Sequence, residues 1–355
     1  MPDVLSNQLE PAALIEHFKR WPPDGFSPLS IGLVPAFATQ FDLLTTLDER
    51  LRRLLERLLP RRVRAMLQRP AVFVGTTVSE FALLPADDAD AFIARVLHEH
   101  GNDCDLIIVK DMPASQALIC ESDFAATRRI ARACVERGFT LISGQALAYV
   151  PIDFASRDEF LRRMSRARRK NIRRKLRSAA GIEVERVLSG DKRFDEPEFV
   201  ARLYQLYENV YEQSDIHFDR LTAAFFSAVL RDSATQGIVF LYRLHNVVIG
   251  FNLCFRFRDM LVDKYIGFAY PEAREHNLYA ISWFENLDYA AANRLRHYVA
   301  GWTDPQVKRE LGAQFVMTQH AVYLRNAFLR GALRALRRLF EPDRRWERDE
   351  AAAHS

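Results

Sequence analysis

Residues 260–270, MLVDKYIGFAY, set an Asp–Lys pair and a tyrosine inside an otherwise apolar, β-branched and aromatic run. Burying charge without a partner is costly, so Asp263 and Lys264 point either to a structural ion pair or to a site that uses them. Strict alternation puts Asp263, Tyr265 and Gly267 on one face and Val262, Lys264, Ile266 and Phe268 on the other. On the functional reading Asp263 is a base or an anchor for a substrate amine. Tyr265 is then a phenol that protonates a leaving group, and both are catalytic candidates. On the structural reading the tyrosine merely packs on the sheet.

The run ends in a polar turn, 271–277, and 278–295 follows with Leu278, Ile281, Trp283, Phe284 and Leu287 at helical spacing. Residues 297–302 return to strand character. A strand feeding a helix N-terminus aims free N–H groups and the positive dipole end at one place, which suits a phosphorylated carrier such as coenzyme A. Arg274 has the guanidinium geometry for phosphate, and His276 is a weaker candidate base. GWTDPQVK (301–308) reads as strand end, turn and helix start, with Thr303 or Asp304 as N-cap and Pro305 at the first helical position.

Two basic segments imply an anionic partner. Over 157–177 arginine and lysine fall all around a helix against only Asp158 and Glu159, where a merely solvated helix would mix signs. A phosphorylated carrier, tRNA or an anionic membrane surface would fit. The segment 326–346 is a basic amphipathic helix that either packs on the protein or lies on an anionic membrane, and the tail beyond it reads as disordered. Net charge is nevertheless only +4, so the basic character is local. Four cysteines without paired spacing and scattered histidines give no zinc signature. No metal is expected.

These groups need a frame. At 355 residues the chain is long for one core and suits two domains. Hydrophobic content of 49% with 27% charge is ordinary globular composition. The first half reads as mixed α/β, with strands over 30–48, 71–84, 103–113 and 140–153 and helices over 49–68 (kinked at Pro60), 87–99 and 124–139. In the second half helices are expected over 157–180, 196–213 and 220–231, and strands over 182–188, 238–244, 247–257, 260–268 and 315–324. HN (245–246) and RD (258–259) are the hairpin turns. The expected division is 1–153, 154–325 and a tail, 326–355, with an internal duplication of element order. No signal peptide pattern and no long apolar window are present, which leads to an expectation of a cytoplasmic protein, peripheral to the membrane at most.

This element order, with LVDKYIGFAYPEAREHNLYAISWFENLDYA and GWTDPQVKRELGAQF, resembles the GNAT acyltransferase superfamily. The nearest branch is similar to the BioF2-like acetyltransferase domain and the Fem-type, FemAB-like, peptidoglycan aminoacyltransferases. The resemblance is best over 155–325. It implies an α/β (α+β) fold of two tandem GNAT-like domains, each a mixed, mostly antiparallel sheet flanked by helices. It also implies transfer of an acyl group, usually from acyl-CoA, to an amine such as a cell-envelope precursor. The Fem-like alternative draws on aminoacyl-tRNA, and a non-catalytic binding protein is a third reading. By resemblance the carrier lies along 260–268 and caps the next helix, making Lys264, Ile266, Arg274, Asn277, Leu278 and Tyr279 cofactor-binding residues. The same resemblance makes Trp302, Thr303 and Lys308 substrate-binding and Asp304 catalytic, at strand ends that open a cleft. One departure is visible: Asn277 and Tyr279 stand where the family's pyrophosphate turn has small residues.

Overall fold

A computed structural model describes residues 5–42, 58, 60, 67–214 and 218–336. The helix expected over 49–68 lies almost wholly outside the described residues, as does the tail beyond 336. The chain opens with β1 (Leu5–Ser6) and α1 (Ala12–Arg20), then the hairpin β2 (Ser27–Ile31) and β3 (Val34–Asp42). β4 (Gln68–Val74), β5 (Leu84–Pro85), α2 (Ala89–His100), β6 (Leu106–Pro113) and α3 (Glu121–Glu136) follow. β7 (Thr140–Pro151) leads to α4 (Arg157–Arg162), α5 (Arg166–Arg177), β8 (Ile182–Leu188), α6 (Pro197–Gln213) and α7 (Ala223–Arg231). The meander β9 (Gly237–Leu244), β10 (Val247–Phe257) and β11 (Met260–Phe268) precedes α8 (Glu272–Glu275), α9 (Leu278–Ala292) and β12 (His297–Gly301). Last come α10 (Pro305–Glu310), β13 (Gln314–Leu324) and α11 (Ala327–Leu336).

Two compact units emerge, and neither is continuous in sequence. The first comprises Met1–Gln8, Gly25–Ala146 and Phe315–Ser355; the second comprises Leu9–Asp24 and Leu147–Gln314. In the first, strand order is β2-β3-β4-β6-β13-β7, with β2 to β4 antiparallel and β6 parallel to β4. In the second it is β7-β12-β11-β10-β9-β8, with β8 to β11 antiparallel and β12 parallel to β11. Each unit is therefore a mixed, mostly antiparallel sheet in which a helix carries the chain from a meander to one parallel strand. The expected α/β class holds, and the order of elements repeats without a repeat of residues.

Local chemistry explains the second unit's meander. β9 and β10 are buried along almost their whole length because helices cover the sheet, so they read as continuous apolar runs rather than alternating ones. His245 and Asn246 both take positive φ, 51° and 66°, as a tight hairpin turn of matching twist requires. α6 packs on β11. A Cβ added at Gly267 would come within 2.7 Å of the Tyr207 backbone nitrogen and 2.2 Å of the Phe251 ring. Glycine at this position is what lets α6 lie so close to the strand.

Two expected elements differ. The strand expected over 71–84 stops at Val74, and 75–83 is loop apart from its junction with β5. The single helix expected over 157–180 is two. Ser156 Oγ accepts the Glu159 N–H and Ser165 Oγ accepts the Arg168 N–H, both at 3.3 Å, so each serine starts its own helix. Substituting Gly267→Ala is expected to destabilise the protein by about 1–3 kcal/mol, because the neighbour it meets is backbone that cannot rotate away. Urea unfolding of the two proteins measures this.

Candidate active site

β11 and β12 run parallel and pair only at Met260–His297, Leu261–Tyr298 and Val262–Val299. β11 then continues to Phe268 with β10 alone as its ladder partner. At the divergence the β10–β11 register slips: Cys254 faces Asp263 but Leu253 faces Tyr265, so Lys264 is the extra residue of a β-bulge. The bulge breaks the expected alternation. Tyr265 does not share a face with Asp263: its ring packs edge-on against Phe225 of α7 and Phe255. Asp263 turns instead toward α9 and β12.

The Asp263 carboxylate is a hydrogen-bond hub. Asn252 Nδ2 donates to both its oxygens at 3.0 Å, Asn286 Nδ2 to Oδ2 at 3.0 Å, and the Tyr298 hydroxyl to Oδ2 at 2.8 Å. The Cys254 thiol adds a further bond. The residue keeps some solvent-accessible surface, yet its carboxyl is surrounded by protein. The surroundings of the carboxyl group, rather than those of the residue as a whole, decide its charge. Burial pushes its pKa up, opposed by the Asn252 and Tyr298 hydrogen bonds and by the Lys308 ammonium. Asn252 and Asn286 also carry buried amide oxygens with no hydrogen-bond partner among the described residues, and the Tyr242 hydroxyl is in the same condition. An internal water is the ordinary remedy for such atoms.

Around this hub the structure gathers some expected residues and disperses others. Lys308 of α10 is only 4% exposed and acts on Asp263 through its charge. Asp304 precedes α10 with φ 52°, and Pro305 takes the first turn as expected, but no side chain caps this helix. The charges of Asp263 and Asp304 both raise the Tyr279 phenol's pKa, after burial, so that phenol points into the divergence. Trp302 is half-buried, and Thr303 and Asp304 are exposed. Lys264 instead ion-pairs with Glu10 at 3.8 Å, both side chains being buried (5% and 3% exposed). Ile266 sits opposite Asn252 in the ladder. Arg274 stacks on Tyr270 and donates to Gln213 at 2.9 Å.

The turn before α9 is held by the basic helix α5. Ser178, at the end of α5, donates to the His276 carbonyl at 2.7 Å and accepts from Asn277 Nδ2 at 3.1 Å. Asn277 has φ 52°, a left-handed geometry that asparagine tolerates better than most non-glycine residues, and Leu278 is fully buried. A diphosphate therefore finds no glycine-lined cradle here. Asn252, Asn286 and Tyr298 were not among the sequence candidates. A lone amide in the apolar run 247–257 and another on the apolar side of 278–295 are the signals that mark them.

Because the folded state raises the Asp263 pKa, its contribution to stability is complete below the ordinary value of 3.8 and is lost as pH rises through the folded value. The stability of the native protein relative to Asp263→Asn should accordingly fall as pH climbs from 3.8 toward neutrality. A pH series of urea unfolding curves tests it; a constant difference would remove the desolvated carboxylate from the account.

No curated protein matches the sequence. Among solved structures the fold is similar to FemX, at 12% identity and a TM-score of 0.55, covering 94% of this chain and 96% of that one. It is similar to the C-terminal domain of a putative lysylphosphatidylglycerol synthetase from Agrobacterium fabrum, at 9% identity and TM-score 0.53, covering 92% and 95%. L-PGS from Bacillus licheniformis gives 10% identity and TM-score 0.52, covering 94% and 98%. These likenesses establish shared fold. The family model for FemAB-like proteins of peptidoglycan biosynthesis/recognition matches residues 107–347, more than half of the sequence. The chain thus belongs to the FemAB-like family.

Proposed function

We propose that this protein is an aminoacyltransferase that moves an aminoacyl group from a tRNA ester to the amine of a cell-envelope precursor. The observation that carries the reading is the parting of β11 from β12 beyond Val262–Val299, with Asp263 and Lys308 at the split. A carboxylate with raised pKa is suited to take the proton of an attacking ammonium. The amine nitrogen bonds to the ester carbonyl carbon, the tetrahedral oxyanion forms beside the buried Lys308 ammonium, and the carbon–oxygen bond to the ribose then breaks. The proton lost by the amine goes to Asp263 and that needed by the leaving hydroxyl returns from it. Tyr298, Asn252 and Asn286 hold the carboxylate in place, and Tyr279 lies beside it.

The donor assignment draws on α5. Arg157, Arg163 and Arg173 are matched by Asp288, Asp153 and Asp158 respectively. Arg166, Lys170 and Arg174 are exposed and make no ion pair among the described residues. Their four-residue spacing aligns them along one side of the helix at intervals of about 6 Å. Such a stripe suits a phosphodiester backbone. A tRNA donor makes the reaction cytoplasmic, and a lipid-linked or nucleotide-linked amine acceptor fits the family description of peptidoglycan biosynthesis. One structural neighbour, described as a putative lysylphosphatidylglycerol synthetase, adds a lipid acceptor to the candidates worth assaying.

Acyl-CoA is the second donor to test. Asn277 supplies the left-handed turn that a glycine would otherwise give before α9, although the Ser178 contacts and the Tyr279 phenol occupy its surroundings.

The two readings separate in one assay. Purified protein is given labelled aminoacyl-tRNA or acetyl-CoA with a muropeptide amine, and the product is identified by mass spectrometry. Transfer from aminoacyl-tRNA is expected, reduced by about 10²-fold or more in Asp263→Asn. Transfer from acetyl-CoA alone would establish the second donor, and full activity of Asp263→Asn would take that residue out of the mechanism. Neutralising Arg166, Lys170 and Arg174 together to glutamine should weaken tRNA binding and flatten its log–log salt dependence by roughly 2–3 units of slope. An unchanged slope would locate the tRNA elsewhere.

A further inference from the structure

α11 has an apolar outer surface. Phe328 is 83% exposed and Leu329, next to it, 41%, which makes Phe328 the most exposed of the large apolar side chains among the described residues. Singly exposed apolar residues are normal, but two adjacent ones on a helix of ten residues whose only charged side chains are arginines call for a reason. The helix is not a frayed end. Asn326 Oδ1 accepts the Phe328 and Leu329 N–H groups at 2.9 and 3.2 Å, closing its first turn.

Its arginines turn the other way. Arg330 lies over the Tyr323 ring at 4.8 Å and donates to the Leu324 carbonyl at 3.0 Å, while Arg334 donates to the Gly138 carbonyl at 3.3 Å. These partners are carbonyl oxygens, which fix each guanidinium without cancelling its charge. Ala327–Leu336 contains no acidic residue. Val135, near the C-terminal end of α3 that leads to Gly138, is 49% exposed. The result is an outward apolar edge backed by fixed positive charge.

We propose that α11 of the first unit is an interfacial helix that seats Phe328 and Leu329 in the headgroup region of an anionic lipid bilayer, with the arginines held at phosphate level. Charge decides between occupants. A second copy of the same edge would oppose arginine to arginine, whereas an anionic lipid surface satisfies both the apolar edge and the charge behind it. No helix among the described residues is long and apolar enough to cross a membrane, so the contact would be peripheral and reversible. The inference does not rest on the donor or acceptor chemistry proposed above.

The full chain can be sedimented with phosphatidylcholine vesicles and with vesicles containing about one third phosphatidylglycerol. Binding is expected to the anionic vesicles, to weaken with added salt, and to fall about tenfold or more in Phe328→Ser/Leu329→Ser with no change in the unfolding midpoint. Phe328→Trp gives a second reading: its fluorescence should shift to the blue on those vesicles. Equal binding to neutral and anionic vesicles, or undiminished binding by the double variant, would overturn the proposal. So would a self-association that the double variant abolishes in the absence of any vesicle binding, which would assign the edge to contact between copies.

Discussion

One inserted residue governs the second unit. Lys264 has no cross-strand mate in the β10–β11 ladder, and its insertion turns Asp263 toward α9 and β12 while leaving Tyr265 among the aromatics of α7 and β10. Without that slip the aspartate and the tyrosine would share one face of the sheet, as strict alternation requires. The extra side chain still has to be accommodated, and its ammonium is met by Glu10, from the segment before α1. A bulge also bends its strand and increases local twist. This is consistent with the loss of β12 pairing immediately before it, at Val262. Bulge, divergence and carboxylate are thus one geometric event.

A carboxylate in such surroundings has to be held, and the way it is held sets its chemistry. Five hydrogen bonds from neutral groups, with Lys308 nearby, compensate the charge only in part, since burial still dominates. Fully paired with a guanidinium, Asp263 would be inert as a base. Left unpaired, it would remain protonated. The intermediate arrangement leaves its pKa raised, the property that the proposed proton transfer from an ammonium uses.

Much of the frame was legible in the sequence. β10 and β11 carry the bounds that their β-branched and aromatic runs announce, because burial on both faces writes such strands as nearly unbroken apolar text, while the edge strand β8 is announced by its alternation of Ile, Val and Val with charged residues. The HN turn was readable because a hairpin of this length needs two positive φ angles. The bulge was not, since a period-2 reading has no means of inserting a residue. Ser165 marked the break between α4 and α5, but the surrounding arginines, good helix formers, masked it. Of the candidate site, Asp263 was legible as a charge inside an apolar strand, whereas Tyr279, Asp304 and Lys308 entered through the family resemblance. Asn252, Asn286 and Tyr298 lie far apart in sequence and acquire a common purpose only when β10, α9 and β12 converge on one carboxylate.

The interleaving of the two units has a consequence for how the chain comes to be. β13, which pairs with β6 in the first unit, is made only after the whole stretch Leu147–Gln314 of the second unit, a unit that also includes Leu9–Asp24. A ribosome-bound nascent chain therefore cannot finish either unit early: the opening segment must stay uncommitted until Lys264 has emerged, and β6 must wait for the strand after Gln314. Assembly of this protein is closer to a single late closure than to one half folding in the wake of the other.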